Sequence, residues 1–228
     1  MAHIEEHVDD VGVESPFLVE GLPGVGLVGK IAVDHLVSEW EMTHVASAHC
    51  DGIPDVAVYS DGDYGLTPPV RIYADADRDV LALQSDIPVS PQAASEFAGC
   101  VTEWYLGHDA TPIFLVGIAS EKSDVPALFG VATGDGDHLL SEIDVDPPSE
   151  SGMITGPTGA LLAEATDRDA AGVGLVVESN PQFPDPEAAR ILLTKGIGPI
   201  AGIEVDTAAL VEQAEDIAEA REKLAERM

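Results

Sequence analysis

Phe17-Leu-Val-Glu-Gly-Leu-Pro-Gly-Val-Gly-Leu-Val-Gly-Lys-Ile-Ala-Val-Asp-His-Leu36 reads as a strand, a tight glycine turn and a helix in direct succession. Phe17 to Val19 is a short apolar run suited to a strand buried on both faces. Pro23 and Gly24 end it, because proline removes a ladder donor and glycine tolerates the left-handed backbone of a sharp turn. From Leu27 onward, Val28, Ile31, Ala32, His35 and Leu36 fall on one face of a helix.

Two phosphate motifs overlap in this turn. Gly24, Gly26 and Gly29 spell G-x-G-x-x-G, and Gly24 to Lys30 spells G-x-x-x-x-G-K. Either would aim free N–H groups and a positive helix end at a phosphate, so Gly24, Gly26, Gly29 and Lys30 form a candidate anion turn. The phosphate-loop reading needs Ser or Thr after the lysine to hold magnesium, and Ile31 stands there. The dinucleotide reading needs an acid after the next strand; Asp51 is near the right distance, in a chain crowded with aspartate. The alternative, which we prefer, is that the glycines let a helix pack tightly on a strand inside an oligomer.

Downstream, strands alternate with helices. Thr43–His49, Val56–Tyr59, Val70–Tyr73, Val80–Leu83, Ile113–Gly117, Leu128–Ala132 and Gly172–Val177 are strand candidates, the pair at 70–83 forming a hairpin. Residues 61–65 read as a loop. Ser90-Pro91 opens a helix that ends before Gly107, Thr158–Thr166 is another, and Pro186 opens one that closes at Gly196. Residues 134–151 read as an irregular surface excursion. Asp206 caps a last helix running nearly to the end. In it Leu210, Ala214, Ile217, Leu224 and Met228 recur at heptad-like spacing, a stripe too short for a free coiled coil and suited to docking on the body or on a partner. The expectation is one α/β domain over 1–228, with a mostly parallel mixed sheet covered on both sides and a C-terminal helix at 206–228.

The chain carries 42 acidic against 10 basic residues in 228, a formal charge of −32 spread along its whole length. A uniform excess suits a surface working in very concentrated salt, where screening over a few ångströms removes self-repulsion. An extreme halophile with a salt-filled cytoplasm is the expected source. No basic face exists to neutralise phosphates, so nucleic-acid binding is not expected. No stretch is long enough for a membrane span, and the amino end has Glu5, Glu6, Asp9 and Asp10 in place of a basic leader, so a cytoplasmic location is expected. Cys50 and Cys100 read as free buried thiols.

Catalytic patterns are sparse. His49 beside Cys50 invites a thiolate–imidazole reading, but neighbours on a strand point to opposite faces. Asp75-x-Asp-x-Asp79 opens like a calcium loop, yet Val80 sits where glycine is needed, and a solvated hairpin is preferred. No G-x-S-x-G elbow occurs. The glycine turn at 152–159 reads as an anion cradle or a packing turn. No catalytic residue, cofactor or metal site is assigned.

Gly21-Leu-Pro-Gly-Val-Gly-Leu-Val-Gly-Lys-Ile-Ala32 resembles the signature of the proteasome assembly chaperone 2 family in its archaeal branch. Three further blocks follow in order: Ile154–Leu162, Val173–Pro181 with Pro186–Leu193, and Gly202–Leu210. The resemblance implies a three-layer α/β/α fold similar to the nucleoside-phosphorylase-like fold, self-association, and no established catalysis. It also implies proteasome α-subunits as partners; from their apolar stripe, Leu210, Ile217, Leu224 and Met228 of the last helix are the candidate contacts. Relatives that dock on finished proteasomes can end in a hydrophobic residue, tyrosine and any residue; the sequence here ends Glu226-Arg227-Met228 and departs from that pattern. A small-molecule reading, with a nucleotide or nucleoside at Gly24 to Lys30, is the alternative.

Overall fold

The computed structural model describes residues 2–59, 64–120 and 125–225, with side chains of the last helix described as far as Ile217. The strands are β1 (His3–Glu6), β2 (Phe17–Gly21), β3 (Thr43–His49), β4 (Val58–Tyr59), β5 (Leu66–Thr67), β6 (Val70–Asp75), β7 (Val80–Ser85), β8 (Thr111–Ala119), β9 (Leu128–Thr133) and β10 (Gly172–Ser179). The helices are α1 (Val28–Glu39), α2 (Ala94–Gly107), α3 (Asp137–Glu142), α4 (Gly156–Asp167), α5 (Pro186–Ile191), α6 (Gly198–Ala201) and α7 (Ala208–Ala225).

Eight strands form one mixed sheet in the order β1-β3-β6-β7-β2-β8-β10-β9, and β4 and β5 form a separate ribbon. The centre, β7-β2-β8-β10, is parallel, and antiparallel pairs flank it on both sides. Parallel strands need cover on both faces, and their neighbours alternate accordingly. Leu18 joins a cluster with Phe97, Val101 and Tyr105 of α2 and Leu161 of α4, whereas Val19 joins one with Val33 and Leu36 of α1 and Ile191 of α5. The result is the expected three-layer α/β arrangement with the sheet in the middle.

The strand–turn–helix of the first motif, the 70–85 hairpin and the strands from Thr43, Leu128 and Gly172 lie where the sequence puts them. Four expectations change. β1 pairs antiparallel with β3, His3 opposite His49 and Glu6 opposite Ala46. As a sheet edge it needs no apolar run, which hid it. The 56–59 segment does not join the main sheet; only Val58 and Tyr59 pair, with Thr67 and Leu66. The 134–151 excursion contains α3, whose buried Leu140 sits over Gly130, where an added Cβ would lie 2.7 Å from the leucine methyls. Gly196 does not close its helix. The chain passes through a π-helical segment, Leu192–Ile197, into α6 and stops at Gly202, which takes a left-handed φ of 66°. Gly196 is needed for approach instead, since a Cβ there would lie 2.5 Å from Leu175 of β10.

Candidate functional site

The glycine turn is a joint between elements. Between β2 and α1 a short helical turn, Val25–Leu27, carries Gly26 at φ 63° and ends at Leu27, itself left-handed at φ 53°. A Cβ on Gly26 would stand 1.9 Å from the Ser179 hydroxyl at the end of β10. The Gly26 carbonyl accepts the Asp185 N–H at 2.9 Å, and the Asp185 carboxylate accepts the N–H groups of Asn180 at 3.0 Å and Ala188 at 3.2 Å. One residue, Asp185, thus ties the turn through its backbone N–H to the end of β10 and the start of α5 through its carboxylate. Gly29 faces β8, its Cβ position 3.2 Å from that of Leu115, and Gly21 faces α1 at 2.4 Å from the Val33 Cβ.

Lys30 turns away from the glycines. Its Nζ donates to Asp34 at 3.1 Å and to Asp86 at 3.0 Å. The buried Arg71 donates to the other Asp86 oxygen at 2.6 Å and to Gln84 at 2.6 Å. Burial pushes the Asp86 carboxyl up, but hydrogen bonds and charge from Lys30 and Arg71 outweigh it and hold the group below its ordinary value. The candidate anion residues are therefore divided: Gly26 and Gly29 fill packing contacts, Gly24 is open, and Lys30 belongs to a network between α1 and the end of β7.

Glu20, on β2 just before the turn, drew no notice in the sequence, although a lone acid in an otherwise apolar strand was a signal. It is 1% exposed. Its Oε1 accepts the Leu22 N–H and the Thr158 hydroxyl, each at 3.0 Å, and its Oε2 accepts the Leu115 N–H at 3.1 Å. Burial raises its pKa to about 7 against the pull of those donors. This carboxyl joins β2, β8 and α4, and takes up or releases a proton near neutrality.

The remaining sequence candidates are structural. Asp75 and Asp79 sit at the β6–β7 turn, where Asp75 accepts from the Arg78 N–H and guanidinium and Asp79 accepts the N–H groups of Glu14 and Ser15. The Cys50 thiol is pushed up by burial and by Glu96, opposite to an activated thiolate. In α7, whose first turn the Asp206 carboxylate caps through the Ala208 N–H at 2.9 Å, Leu210 is 1% exposed and packs in the core beside α1 and α5. It is occupied within the chain and not on offer to a partner. Ile217 is half-buried, while the Leu224 side chain and Met228 lie outside the described residues.

What the molecule does present is apolar surface at one end. Except for Leu106 and Val211, the large exposed apolar side chains among the described residues all lie at the carboxyl ends of the parallel strands. Val25 and Leu27 follow β2, Ile118 ends β8, Val125 precedes β9, and Met153 precedes α4, whose Thr158 reaches Glu20. The segment after β3 adds Val56, Tyr59, Tyr64 and Leu66. Beside it is an open cleft of about 680 Å³, between the end of β3 and the β4–β5 ribbon. Sequence reasoning read Val56–Tyr59 as a strand and 61–65 as a loop and made nothing of the exposed Tyr59, Tyr64 and Leu66 there.

A model described as the PAC2 family matches residues 18–225. An uncharacterised protein of Methanocaldococcus jannaschii is 28% identical over 217 residues, covering 93% of this chain and 87% of that one. Among solved structures, Pyrococcus furiosus PbaA, described as an archaeal homolog of proteasome-assembly chaperone, superposes with a TM-score of 0.83 at 27% identity, over 100% of this chain and 98% of that one. Pyrococcus furiosus PbaB, described as an archaeal proteasome activator, has a TM-score of 0.84 at 24% identity, over 98% of each chain, and is a likeness of fold.

Proposed function

Since this chain belongs to the PAC2 family, we propose that it is a non-catalytic protein-binding member that self-associates and holds proteasome α-subunits before their rings close. The observation that carries this reading is the gathering of exposed Val25, Leu27, Tyr59, Tyr64, Leu66, Ile118 and Met153 at one end of the sheet. Large apolar side chains exposed together at one end of a molecule suit contact with other proteins, and here they can shield assembly surfaces transiently. The likeness to PbaA supplies the partner class. The charge of −32 fits a haloarchaeal cytoplasm, so the contact forms in concentrated salt, where apolar burial gains and long-range charge is screened.

The test is light-scattering mass after size exclusion in concentrated KCl, with and without the host's proteasome α-subunits. The expected result is a multi-chain species that co-elutes with α-subunits at a defined mass. Elution apart from them, together with a thermal shift on adding a nucleotide or nucleoside that Gly26→Ala removes, would replace this reading with the small-molecule one.

A further inference from the structure

We infer that Arg71 is the positioning residue of the apolar end: its guanidinium fixes the foot of the β4–β5 ribbon and so sets where Tyr59 and Leu66 meet a protein partner. The inference deepens the function proposed above and rests on it.

The ribbon is slight. Its pairing consists of Val58 with Thr67 and Tyr59 with Leu66, and a two-stranded ribbon is at best marginally stable alone in water. Its largest side chains do not reach the core, since Tyr59 is 81% exposed and Leu66 67%. The chain that follows β5 supplies an anchor. Pro68 and Pro69 there have no N–H to give to a ladder, and their rings lock φ, so the link from the ribbon to β6 is stiff. Its carbonyls must be met by donors from elsewhere.

Arg71 on β6 and Asp86 after β7 meet them. The Arg71 Nη1 donates to the Pro68 carbonyl at 2.6 Å and to the Thr67 hydroxyl at 3.2 Å, and the Asp86 N–H donates to the Pro69 carbonyl at 3.0 Å. Successive residues at the foot of the ribbon are thus held to the main sheet. Because Thr67 lies opposite Val58 and Leu66 opposite Tyr59, fixing β5 fixes β4 with it.

The guanidinium is itself held fast. Its Nε donates to the Tyr73 hydroxyl at 2.8 Å and to the Gln84 Oε1 at 3.2 Å, while Nη2 donates to the Gln84 Oε1 and to the Asp86 carboxylate, each at 2.6 Å. Gln84 donates in turn to Asp34 at 2.8 Å, and Lys30 bridges Asp34 and Asp86. The foot of the ribbon is therefore referenced to α1. Net stability is a weak reason for such a network, because desolvation of buried charges offsets their attraction and an apolar side chain of similar volume often serves a core as well. An apolar side chain could not donate to Thr67 and Pro68. Lysine would keep the charge but gather its donors on one nitrogen, giving up the fork that serves Asp86 with one arm and Pro68 with the other. Contact side chains held in place beforehand lose less freedom on binding, which is what this anchor contributes to recognition.

The experiment uses the full chain in concentrated KCl, with Arg71→Lys and, as a milder variant, Thr67→Val, which removes one accepting hydroxyl and leaves the ion pairs in place. Amide exchange at Val58, Tyr59, Leu66 and Thr67 reads the ribbon, melting reads the fold, and light-scattering titration with the host's proteasome α-subunits reads capture. Arg71→Lys is expected to keep a cooperative melt while exchange of the ribbon rises and capture weakens, each by roughly tenfold, the worth of one hydrogen bond from a charged donor. Thr67→Val should move both in the same direction by about threefold, and it alone decides should Arg71→Lys fail to fold. Ribbon exchange that is unaltered, or that rises while capture is unchanged, would overturn the inference and leave the proposed function standing. A wild-type chain that neither self-associates nor captures α-subunits would defeat that function and the role of Arg71 with it.

Discussion

Two segments stand at the carboxyl end of the sheet and are built in opposite ways. At the Gly24 to Lys30 turn the chain is hemmed in: Gly26 touches the end of β10, Gly29 touches β8, and Lys30 is committed to Asp34 and Asp86. In the Val56 to Pro69 segment, the ribbon holds two residue pairs and its tyrosines stand in solvent. Glycines in the first permit close approach between elements, which is a requirement of packing. Bulky side chains in the second are held away from their own core, and packing alone gives no reason for that. Packing is concentrated in the first segment, and the proposed function assigns recognition to the second.

Substitutions in the two segments should separate those roles. Gly26→Ala places a Cβ 1.9 Å from the Ser179 hydroxyl at φ 63° and should destabilise by roughly 3 kcal/mol. Denaturant titration in concentrated KCl measures it, and a near-neutral result would mean that the turn adapts and is not a tight joint. Gly24→Ala is the internal control. Its Cβ would meet nothing within 4 Å, and its φ of −141° suits any residue, so stability should hold within about 0.5 kcal/mol.

Glu20 gives the next effect, through pH. Its folded pKa of about 7 lies above the ordinary 4.5, so the fold binds this proton more tightly than the unfolded chain does. The contribution is fully present below pH 4.5 and is lost as pH rises through about 7, a change of roughly 3 kcal/mol at most. Unfolding free energies across that window should fall with pH by this amount, and Glu20→Gln should remove that part of the slope. An unaltered slope would show that Glu20 is not the group responsible.

Lys30→Met is expected to cost on the order of 1 kcal/mol, because the lysine is partly exposed and Arg71 still holds Asp86. It should leave oligomer mass unchanged. Smallest in stability is Tyr59→Ser with Tyr64→Ser, within about 0.5 kcal/mol, although the same pair should change the mass. A large loss of stability there would place the ribbon with the fold and erase the contrast.

Much of the scaffold was legible. Phe17 to Leu36, the 70–85 hairpin and the strand from Gly172 declared themselves through apolar runs bounded by glycine and proline, because both faces of those strands are covered. β1 did not, since His-Ile-Glu-Glu at a sheet edge has only one neighbour to satisfy. The long helical run after Pro186 was cut short in the reading because Gly196 looks like a terminator, whereas its missing Cβ makes room for Leu175. Glu20 escaped because its partners, Leu115 and Thr158, are far away in sequence. The exposure of Tyr59 and Tyr64 escaped for a different reason: whether a tyrosine is covered depends on the whole fold, and periodicity is silent on it.

The most direct measurement is amide hydrogen exchange on the wild-type chain in concentrated KCl, compared with the Tyr59→Ser, Tyr64→Ser variant. The expected result is protection of the 21–30 segment in both proteins, and of the 56–69 segment in the wild type alone. Free exchange of the 56–69 segment in the wild type, with protection of the 21–30 segment appearing only when a nucleotide is added, would contradict the account.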